Sequence, residues 1–468
     1  MLIGTLMRFL VYIAIFLFSV QSAFPQGGKP QKVYEPEEAE EHFGHHNYLM
    51  AIPIYLQLLK QDPKNPEMNY KLGVCYMNTY VNKSAAIKYL ETAVLENPKI
   101  DNEAYFLYGK ALHLQNRFDE AINIYTKYKD LNAKHKDLVA KAELAIDQCN
   151  NGKLLIKLPV KVTFTNLGPE INTEFPDYYP WVTMDESHIF FTSRRKGGHT
   201  NTVETDGYYS SDIYTCDAVN GKWEKAKNLP GSGINTALDE EVVGIRPDGG
   251  ELIIYIDHVK EMEDLYNTVK KGPGYSRLEK YNPNVNAGRE FSGSITEDDQ
   301  ILFFVRDTKE GLGKQDIFMC KRLPNGQWAL PQNLGENINT PYNEDFPYLS
   351  MDGRTLYFAS EGHSSMGGFD LFKSVWDVEN NTWSKPVNLG YPINTSDDER
   401  NISILPDNRA GYLCAWRKEG MGDLDIYRVK FEDEEQKYSF YKGKIKRSDS
   451  LSKAELFVTI TAINKKTK

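Results

Sequence analysis

The sequence predicts a multidomain protein in which an all-α domain of helical repeats is followed by an all-β five-bladed propeller and the beginning of a β-sandwich. Three observations support this fold class. Residues 35–150 place apolar side chains at the 3.6-residue spacing of amphipathic helices. Residues 160–431 repeat one unit of strand-like runs five times, and two alternating runs follow residue 438.

Length, composition and charge limit the class of protein. The 468 residues give room for two or three domains, and 41% hydrophobic with 12% aromatic residues exclude a disordered protein. The formal net charge is −10, and no extended basic run is present. We therefore expect no nucleic acid among the main partners.

The N-terminal stretch contains a basic residue, an apolar run and small residues in the order that is typical of a secretory signal. Arg8 precedes the apolar run 9–20, and Gln21-Ser22-Ala23 supplies small residues for cleavage. The run is short for a bilayer-spanning helix. We therefore predict that residues 1–23 are a signal peptide and that the exported mature chain has no integral membrane span. A retained N-terminal anchor is the alternative, and no Cys lies near the cleavage region to accept a lipid.

The helical region repeats with a period of 35 residues, which separates Ala51, Ala86 and Ala121 and also Pro63 and Pro98. With the aromatic positions around these alanines, the pattern resembles the tetratricopeptide family. The predicted domain spans residues 35–150. It consists of three repeats, 35–66, 67–100 and 101–134, followed by a capping helix at 135–150. In the family, small residues allow the paired helices to cross closely, and the concave groove holds a partner peptide. A spacer that packs against the propeller is the alternative.

The propeller is predicted from two markers that recur in each copy. The motif Asp-(Ile/Leu)-(Tyr/Phe) starts at Asp212, Asp264, Asp316, Asp370 and Asp425, at intervals of 52 to 55 residues. Turn pairs that suit tight hairpins occur at Asp185-Glu186, Asp248-Gly249, Asp298-Asp299, Asp352-Gly353 and Asp407-Asn408. Four strand-like runs per copy are typical of a propeller blade.

The first strand is expected to close the ring. An Asn-Leu-Gly-like triplet ends the fourth strand at Asn228, Asn333 and Asn388, but none follows the fifth Asp-Ile-Tyr motif. An additional triplet, Asn166-Leu167-Gly168, instead follows the alternating run 160–164. We therefore predict that 160–164 pairs with the last blade near 425–429, which protects two strand edges.

Residues 438–468 contain two alternating strands, Tyr438 to Lys446 and Ala454 to Asn464. Such a short segment cannot bury a core of its own. It is either a hairpin on the propeller or the start of a β-sandwich, and it is similar to the opening of carboxypeptidase regulatory-like domains. We expect this sandwich to be incomplete.

A search for catalytic, cofactor or metal motifs predicts no catalytic, cofactor-binding or metal residues. Gly362-His363-Ser364-Ser365-Met366 resembles a nucleophile elbow, but Met366 replaces the last Gly, so we interpret it as a loop. The cluster His42, His45 and His46 is interpreted as exposed polar positions. The five cysteines are interpreted as small buried hydrophobes, because Cys216 and Cys320 fall in blades that are not neighbours.

Paired acids precede the first strands of three blades, at Glu240-Glu241, Glu344-Asp345 and Asp398-Glu399. Paired carboxylates can act as acid and base. Because a catalytic pair is needed once while these recur, we interpret them as structural. The recurring Trp223, Trp328 and Trp383 are likewise expected to pack between blades.

The fourth copy carries a stronger family resemblance. Its pattern resembles the TolB-like class of propellers, and it consists of Phe346-Pro347, Ser350, Asp352-Gly353, the run 356–360 and Gly368 to Phe372. With the signal and the helical repeats, the chain resembles periplasmic Bacteroidetes proteins that end in an OmpA-like peptidoglycan-binding domain, some linked to type IX secretion and gliding. It lacks the OmpA-like domain and the lipid-acceptor Cys.

The resemblance implies a non-enzymatic periplasmic scaffold, associated with the outer membrane, that binds cell-envelope proteins through its helical groove and propeller face. The alternative is a glycan-active propeller enzyme of the sialidase or glycosidase type. That enzyme requires a cluster of acidic and basic residues that does not recur. Arg194-Arg195-Lys196 near Asp206 is an example of such a cluster, and we interpret it as a loop. We expect the copy-specific binding surfaces chiefly in loop 197–209 of the first blade and on the polar face of the helices.

Overall fold

The computed structural model describes residues 35–257 and 264–432. The predicted signal peptide and the predicted sandwich strands lie outside these residues. The described α-helices are α1 Pro36–Gly44, α2 Tyr48–Leu58, α3 Pro66–Met77, α4 Ala86–Glu96, α5 Glu103–Leu114, α6 Phe118–Leu131 and α7 Lys136–Leu155. None of the helices in the described part of the chain is long and apolar enough to cross a bilayer.

The helices stack in antiparallel pairs around small residues. Ala51, Ala86 and Ala121 are fully buried. A Cβ added at Gly73 would lie 2.5 Å from Leu90 Cγ, which is closer than side chains can pack. Small residues at these crossings therefore have the structural role predicted for them.

The capping helix α7 continues to Leu155. Its last turn contains Gly152, where an added Cβ would lie 2.7 Å from the ring of Phe118. The helix therefore packs against the start of α6 beyond residue 150.

The described strands between Val162 and Phe431 form five blades of four main strands each, as predicted. Blade 1 contains β2 Asp177–Val182, β3 His188–Ser193, β4 Asp212–Val219 and β6 Lys227–Asn228. Blade 2 contains β7 Asp239–Ile245, β8 Glu251–Asp257, β9 Asp264–Lys271 and β11 Glu279–Lys280. Blade 3 contains β12 Arg289–Ile295, β13 Ile301–Asp307, β14 Gln315–Lys321 and β15 Gln332–Asn333. Blade 4 contains β16 Glu344–Leu349, β17 Thr355–Ser360, β18 Asp370–Asp377 and β20 Val387–Asn388. Blade 5 contains β21 Ile402–Ile404, β22 Ala410–Ala415, β23 Asp425–Phe431 and β1 Val162–Asn166. Three short strands pair antiparallel with the ends of the third strands of blades 1, 2 and 4; they are β5 Lys222–Trp223, β10 Gly274–Tyr275 and β19 Thr382–Trp383.

The hairpin between the first two strands of every blade has the predicted turn chemistry. The second residue of each turn pair has a positive φ, between 53° and 72°. The preceding aspartate accepts a backbone N–H two residues further on, for example from Gly250 to Asp248 at 2.8 Å and from Arg354 to Asp352 at 2.8 Å. These side-chain turns explain why an acid precedes Gly or a polar residue in each copy.

The N-terminal strand closes the ring against the predicted blade, with strand bounds two residues later than predicted. Strand β1 pairs antiparallel with β23, with Val162 opposite Phe431 and Phe164 opposite Val429. The last blade is therefore built from both ends of the propeller sequence, and the closure prediction is confirmed.

Aromatic side chains pack between neighbouring blades. Trp223 in blade 1 contacts Tyr412 in blade 5 with ring centroids 6.1 Å apart, and Trp383 in blade 4 contacts Phe303 in blade 3 at 6.5 Å. The predicted packing role is confirmed for these two tryptophans. All five cysteines are free and buried, as the sequence interpretation expected.

A candidate binding site at the mouth of the propeller

One acidic residue recurs where the innermost strand of each blade begins. These residues are Asp177, Glu240, Glu290, Glu344 and Glu399, and each is at most 4% exposed. In blade 4 the carboxylate accepts hydrogen bonds from the Thr340 backbone N–H at 2.8 Å, from its hydroxyl at 2.7 Å and from Ser360 at 2.7 Å. The acid therefore closes the loop before its own strand, which is a structural role.

Burial without a cationic partner raises the pKa of three of these acids strongly, and it raises that of one of them, Glu399, well above its usual range. It raises the pKa of Glu240 and of Glu344 to about 7, although hydrogen bonds from Thr236 and Thr340 oppose the shift. A recurring acid with a raised pKa is thus explained by loop closure and needs no catalytic role.

The residue after the recurring acid differs in every blade. These residues are Tyr178, Glu241, Phe291, Asp345 and Arg400. The three acid pairs are therefore not equivalent from blade to blade, because Glu399, the second member of Asp398-Glu399, corresponds to Glu240 and Glu344, the first members of their pairs. The structural interpretation of Glu241 and Asp345 stays a prediction.

Several of these copy-specific residues surround the mouth, which we define as the end of the propeller axis where the innermost strands begin. Tyr178 donates a hydrogen bond of 2.7 Å to Glu241 in the next blade. Arg400 lies 3.6 Å from Asp345 and 3.7 Å from Asp398. The mouth therefore carries both positive and negative side chains, in an arrangement that is not repeated among the five described blades.

Aromatic rings close the axis below the mouth. Tyr179 and Phe346 have ring centroids 4.5 Å apart, and their blades, 1 and 4, are not neighbours in a ring of five. The contact therefore crosses the axis. Both residues have positive φ, 52° and 46°, at bulges in β2 and β16. Such a backbone is costly for an aromatic residue and is more frequent at functional sites than elsewhere.

The helical domain covers part of the mouth. Asn78 and Tyr80, which follow α3, line a cavity of about 330 Å³ together with Tyr178, Tyr179, Glu241 and Arg400. Lys83 forms an ion pair with Asp397 and lies 3.9 Å above the Tyr80 ring. The cavity therefore has propeller walls and a roof from the helical repeats.

The basic run near Asp206 takes part in this site. Arg194 lines the cavity, and its guanidinium donates to both carboxylate oxygens of Asp206, at 2.6 and 3.1 Å. Arg195 is directed away, to an ion pair with the buried Asp177. Arg194 follows the end of β3 and lies in a loop, as interpreted, and the structure adds that its side chain lines the cavity.

A second contact joins the two domains through loop 361–369 of blade 4. Met366 is fully buried in the core of the helical domain. Its carbonyl lies 2.8 Å from Nε2 of the buried His113, and burial lowers the pKa of that imidazole to about 4. A neutral imidazole therefore donates this hydrogen bond at pH 7.

The same loop contains the sequence that resembled a nucleophile elbow. Ser365 donates to the Glu361 carbonyl at 2.7 Å and accepts from Gln148 of α7 at 3.1 Å. His363 instead contacts the Ile338 carbonyl. Ser365 is thus engaged with Glu361 and Gln148 rather than with His363, and the interpretation as a loop is confirmed.

Helices α5 and α7 line a larger cleft of about 660 Å³ against the propeller. Phe106, Lys110, Lys141 and Leu144 lie on the helical side, and Tyr342 lies on the propeller side. The helical groove and the propeller surface were both predicted to bind partners, and they therefore lie on opposite sides of this cleft. Within residues 35–257 and 264–432, no group of three His, Cys, Asp or Glu side chains is placed to hold a metal ion.

Comparisons with known proteins match a family model to part of the helical region and identify similar solved structures. The tetratricopeptide repeat family matches residues 82–135, and no curated protein matches the chain. Among solved structures, TolB from Acinetobacter baumannii is 16% identical, covers 56% of this chain and 56% of its own, and has a TM-score of 0.34. A putative TolB from Agrobacterium tumefaciens is 15% identical, covers 58% of this chain and 98% of its own, and has a TM-score of 0.30.

A solved glycoside hydrolase is 9% identical, covers 63% of this chain and 99% of its own, and has a TM-score of 0.41. This chain spans about half the length of the Acinetobacter TolB chain. At these identities and TM-scores the likenesses carry no argument about fold or activity.

Proposed function

We propose that this protein is a non-enzymatic scaffold of the cell envelope, in which the helical repeats and the propeller act as one rigid binding unit. The observation that carries the proposal is the insertion of Met366 into the helical core. The hydrogen bonds that Gln148 and Asn151 donate to loop 361–369 strengthen this contact. A rigid relative position of two interaction domains is what a scaffold requires.

The partner site in this proposal is the cleft between α5, α7 and the propeller. Loop 361–369 already occupies part of the groove in which tetratricopeptide repeats hold peptides, so a partner segment would lie beside it. Phe106 and Leu144 supply apolar contacts there, while Lys110 and Lys141 supply charge on the same side. A cleft of this size suits an extended peptide segment of a partner protein.

The location in this proposal is the periplasm, with association to the outer membrane. It rests on the signal-like residues 1–23 and on the resemblance to envelope proteins linked to type IX secretion or to peptidoglycan-linked outer-membrane assembly. The partners are accordingly cell-envelope proteins.

Site-specific photo-crosslinking in cells tests the proposal. A photoreactive residue at position 144 faces the cleft, and one at position 95 serves as control, because Leu95 is 69% exposed on α4 and does not line the cleft. We expect position 144 to yield discrete adducts with envelope proteins that position 95 does not yield. Identical adduct patterns at both positions would contradict the proposal.

A glycan-active enzyme is the second candidate, because Glu241 and Arg400 form the non-recurring acid and base cluster that such an enzyme requires. Burial raises the pKa of Glu241, as a general acid would need. Incubation of the full chain with fluorogenic sialosides and hexosides distinguishes the two. The scaffold predicts no turnover, whereas turnover that Glu241→Gln abolishes at unchanged folding would establish the enzyme.

A further inference from the structure

We propose that the cavity at the mouth of the propeller binds a neutral saccharide. This inference goes beyond the scaffold function, because it concerns a different cavity and does not depend on any protein partner. The cavity of about 330 Å³ lies at the lower end of the range in which proteins bind small molecules.

The charges of the cavity oppose a simple ionic ligand. Glu241, Asp398 and Asp423 line it, and they would repel an anion. Two arginines that line the cavity already balance these carboxylates: Arg400 interacts electrostatically with Asp398 and Glu241, and Arg194 with Glu241 and Asp423. A neutral ligand is not repelled by the carboxylates and does not have to displace the arginines from them.

The polar groups of the cavity suit a ligand that both donates and accepts hydrogen bonds. Three groups of the cavity have no hydrogen-bond partner within 3.5 Å among the described residues: the Arg400 guanidinium and the hydroxyls of Tyr80 and Tyr179. The ion pairs of Arg400 are longer than this distance. These groups can donate to ligand oxygens. Glu241 and Asp423 each accept one tyrosine hydroxyl, at 2.7 Å, and their carboxylates have further lone pairs for ligand hydroxyls.

The aromatic rings supply the apolar part of such a site. Tyr179 is packed against Phe346 on one side and Tyr178 on another, with centroids 4.5 and 4.7 Å apart, so its ring is fixed. Tyr80 stands on the helical side of the same cavity. The C–H faces of a pyranose ring pack against aromatic rings, while its hydroxyls require paired donors and acceptors. A sugar therefore uses all three features of the cavity: rings, donors and acceptors.

Saturation-transfer difference NMR on the full chain tests the inference. The probes are glucose, galactose, N-acetylglucosamine and cellobiose, with lysine amide as a cationic probe and glutamate as an anionic probe. We expect transfer to at least one of the four sugars and none to the two charged probes. A titration of the bound sugar then gives the Kd.

Two conservative variants place the binding in this cavity. Tyr80→Phe with Tyr179→Phe removes the two free hydroxyls and keeps both rings, and Phe346 shows that phenylalanine tolerates the positive φ at this level. Loss of two hydrogen bonds should raise the Kd about tenfold. The control Tyr89→Phe lies on the helical domain outside the cavity and should leave the Kd unchanged.

Three results would overturn the inference. The first is absence of saturation transfer to all four sugars. The second is an unchanged Kd in the double variant, when circular dichroism shows the variant to be folded. The third is transfer to lysine amide or glutamate that the sugars do not displace, which would make the cavity an ion site. Hydrolysis of a bound sugar would leave this inference standing and favour the enzyme over the scaffold.

Discussion

The side-chain amide of Asn166 donates a hydrogen bond of 2.8 Å to Asp425, although 259 positions separate the two residues in the chain. The same bond joins Asn333 to Asp316 in blade 3 at 2.8 Å and Asn388 to Asp370 in blade 4 at 2.7 Å. In those blades both residues belong to one continuous stretch. In blade 5 the bond fastens the N-terminal strand to the end of the propeller sequence.

The first prediction concerns this bond. Asn166→Ala also removes the acceptor of the Gly168 N–H and of the Asn172 amide, so it should lower the free energy of unfolding by about 1–3 kcal/mol. Asn333→Ala removes the equivalent three bonds and is the matched control. We expect similar losses in urea unfolding, but faster amide hydrogen exchange in β1 only for Asn166→Ala. Equal exchange in β1 for both variants would contradict a closing role.

The second prediction concerns the whole closing strand. Deletion of residues 160–168 leaves the edge of β23 unpaired, and exposed strand edges promote association between chains. We therefore expect oligomers in size-exclusion chromatography and a broader thermal transition. A synthetic peptide of residues 160–168 should restore the monomer by adding the missing strand. A peptide with Phe164→Asp is the control, and a monomeric deletion variant without added peptide would refute the prediction.

Much of the propeller could be predicted because its signals are local. Each Asp in a hairpin turn makes its hydrogen bond within two residues, so the turn chemistry repeats visibly in the sequence. Ring closure could also be predicted, because the triplet at Asn166 precedes the first blade while the fifth Asp-Ile-Tyr motif has no triplet after it. Local rules that recur from blade to blade identify both features without any knowledge of distant contacts.

The mouth was missed because it depends on contacts between blades. Glu241 and Asp345 stand next to recurring acids and share their chemistry, so residue type alone does not separate them. Alignment of the five copies on the recurring acid would have shown that the following position varies from Tyr178 to Arg400. A second missed residue, Met366, is an apolar side chain in a loop rich in Gly and Ser, but no sequence rule indicates that it enters the helical domain.

The third prediction concerns that contact. Met366→Asp places a charge in the core of the helical domain, which is unfavourable by several kcal/mol, so the loop should leave the groove. We expect a larger radius of gyration in small-angle scattering and faster proteolysis between Leu155 and Val162, the connection between the domains. Met366→Leu conserves volume and should resemble the wild type. Identical scattering from all three proteins would show that Met366 does not hold the domains together.

The fourth prediction uses the buried acid of blade 4. The pKa of Glu344 is raised from an ordinary 4.5 to about 7, chiefly by burial. Because the folded protein holds this proton more tightly than the unfolded chain does, the stabilising contribution is complete below pH 4.5 and is lost as pH rises through 7. The wild type should therefore lose stability from this residue between pH 5 and pH 8.

Glu344→Gln isolates the effect. At pH 5 we expect the variant to be less stable than the wild type, because the amide nitrogen of the introduced side chain would face the Thr340 backbone N–H, another donor. Between pH 5 and pH 8 this difference should shrink by up to about 3 kcal/mol, since glutamine cannot ionise. Urea unfolding at both pH values measures it, with the exposed Glu336→Gln as control. His113, whose pKa is lowered, contributes in the opposite direction between pH 4 and pH 6.5, but equally in both proteins. Parallel pH profiles for wild type and Glu344→Gln would show that Glu344 titrates normally and would contradict its raised pKa.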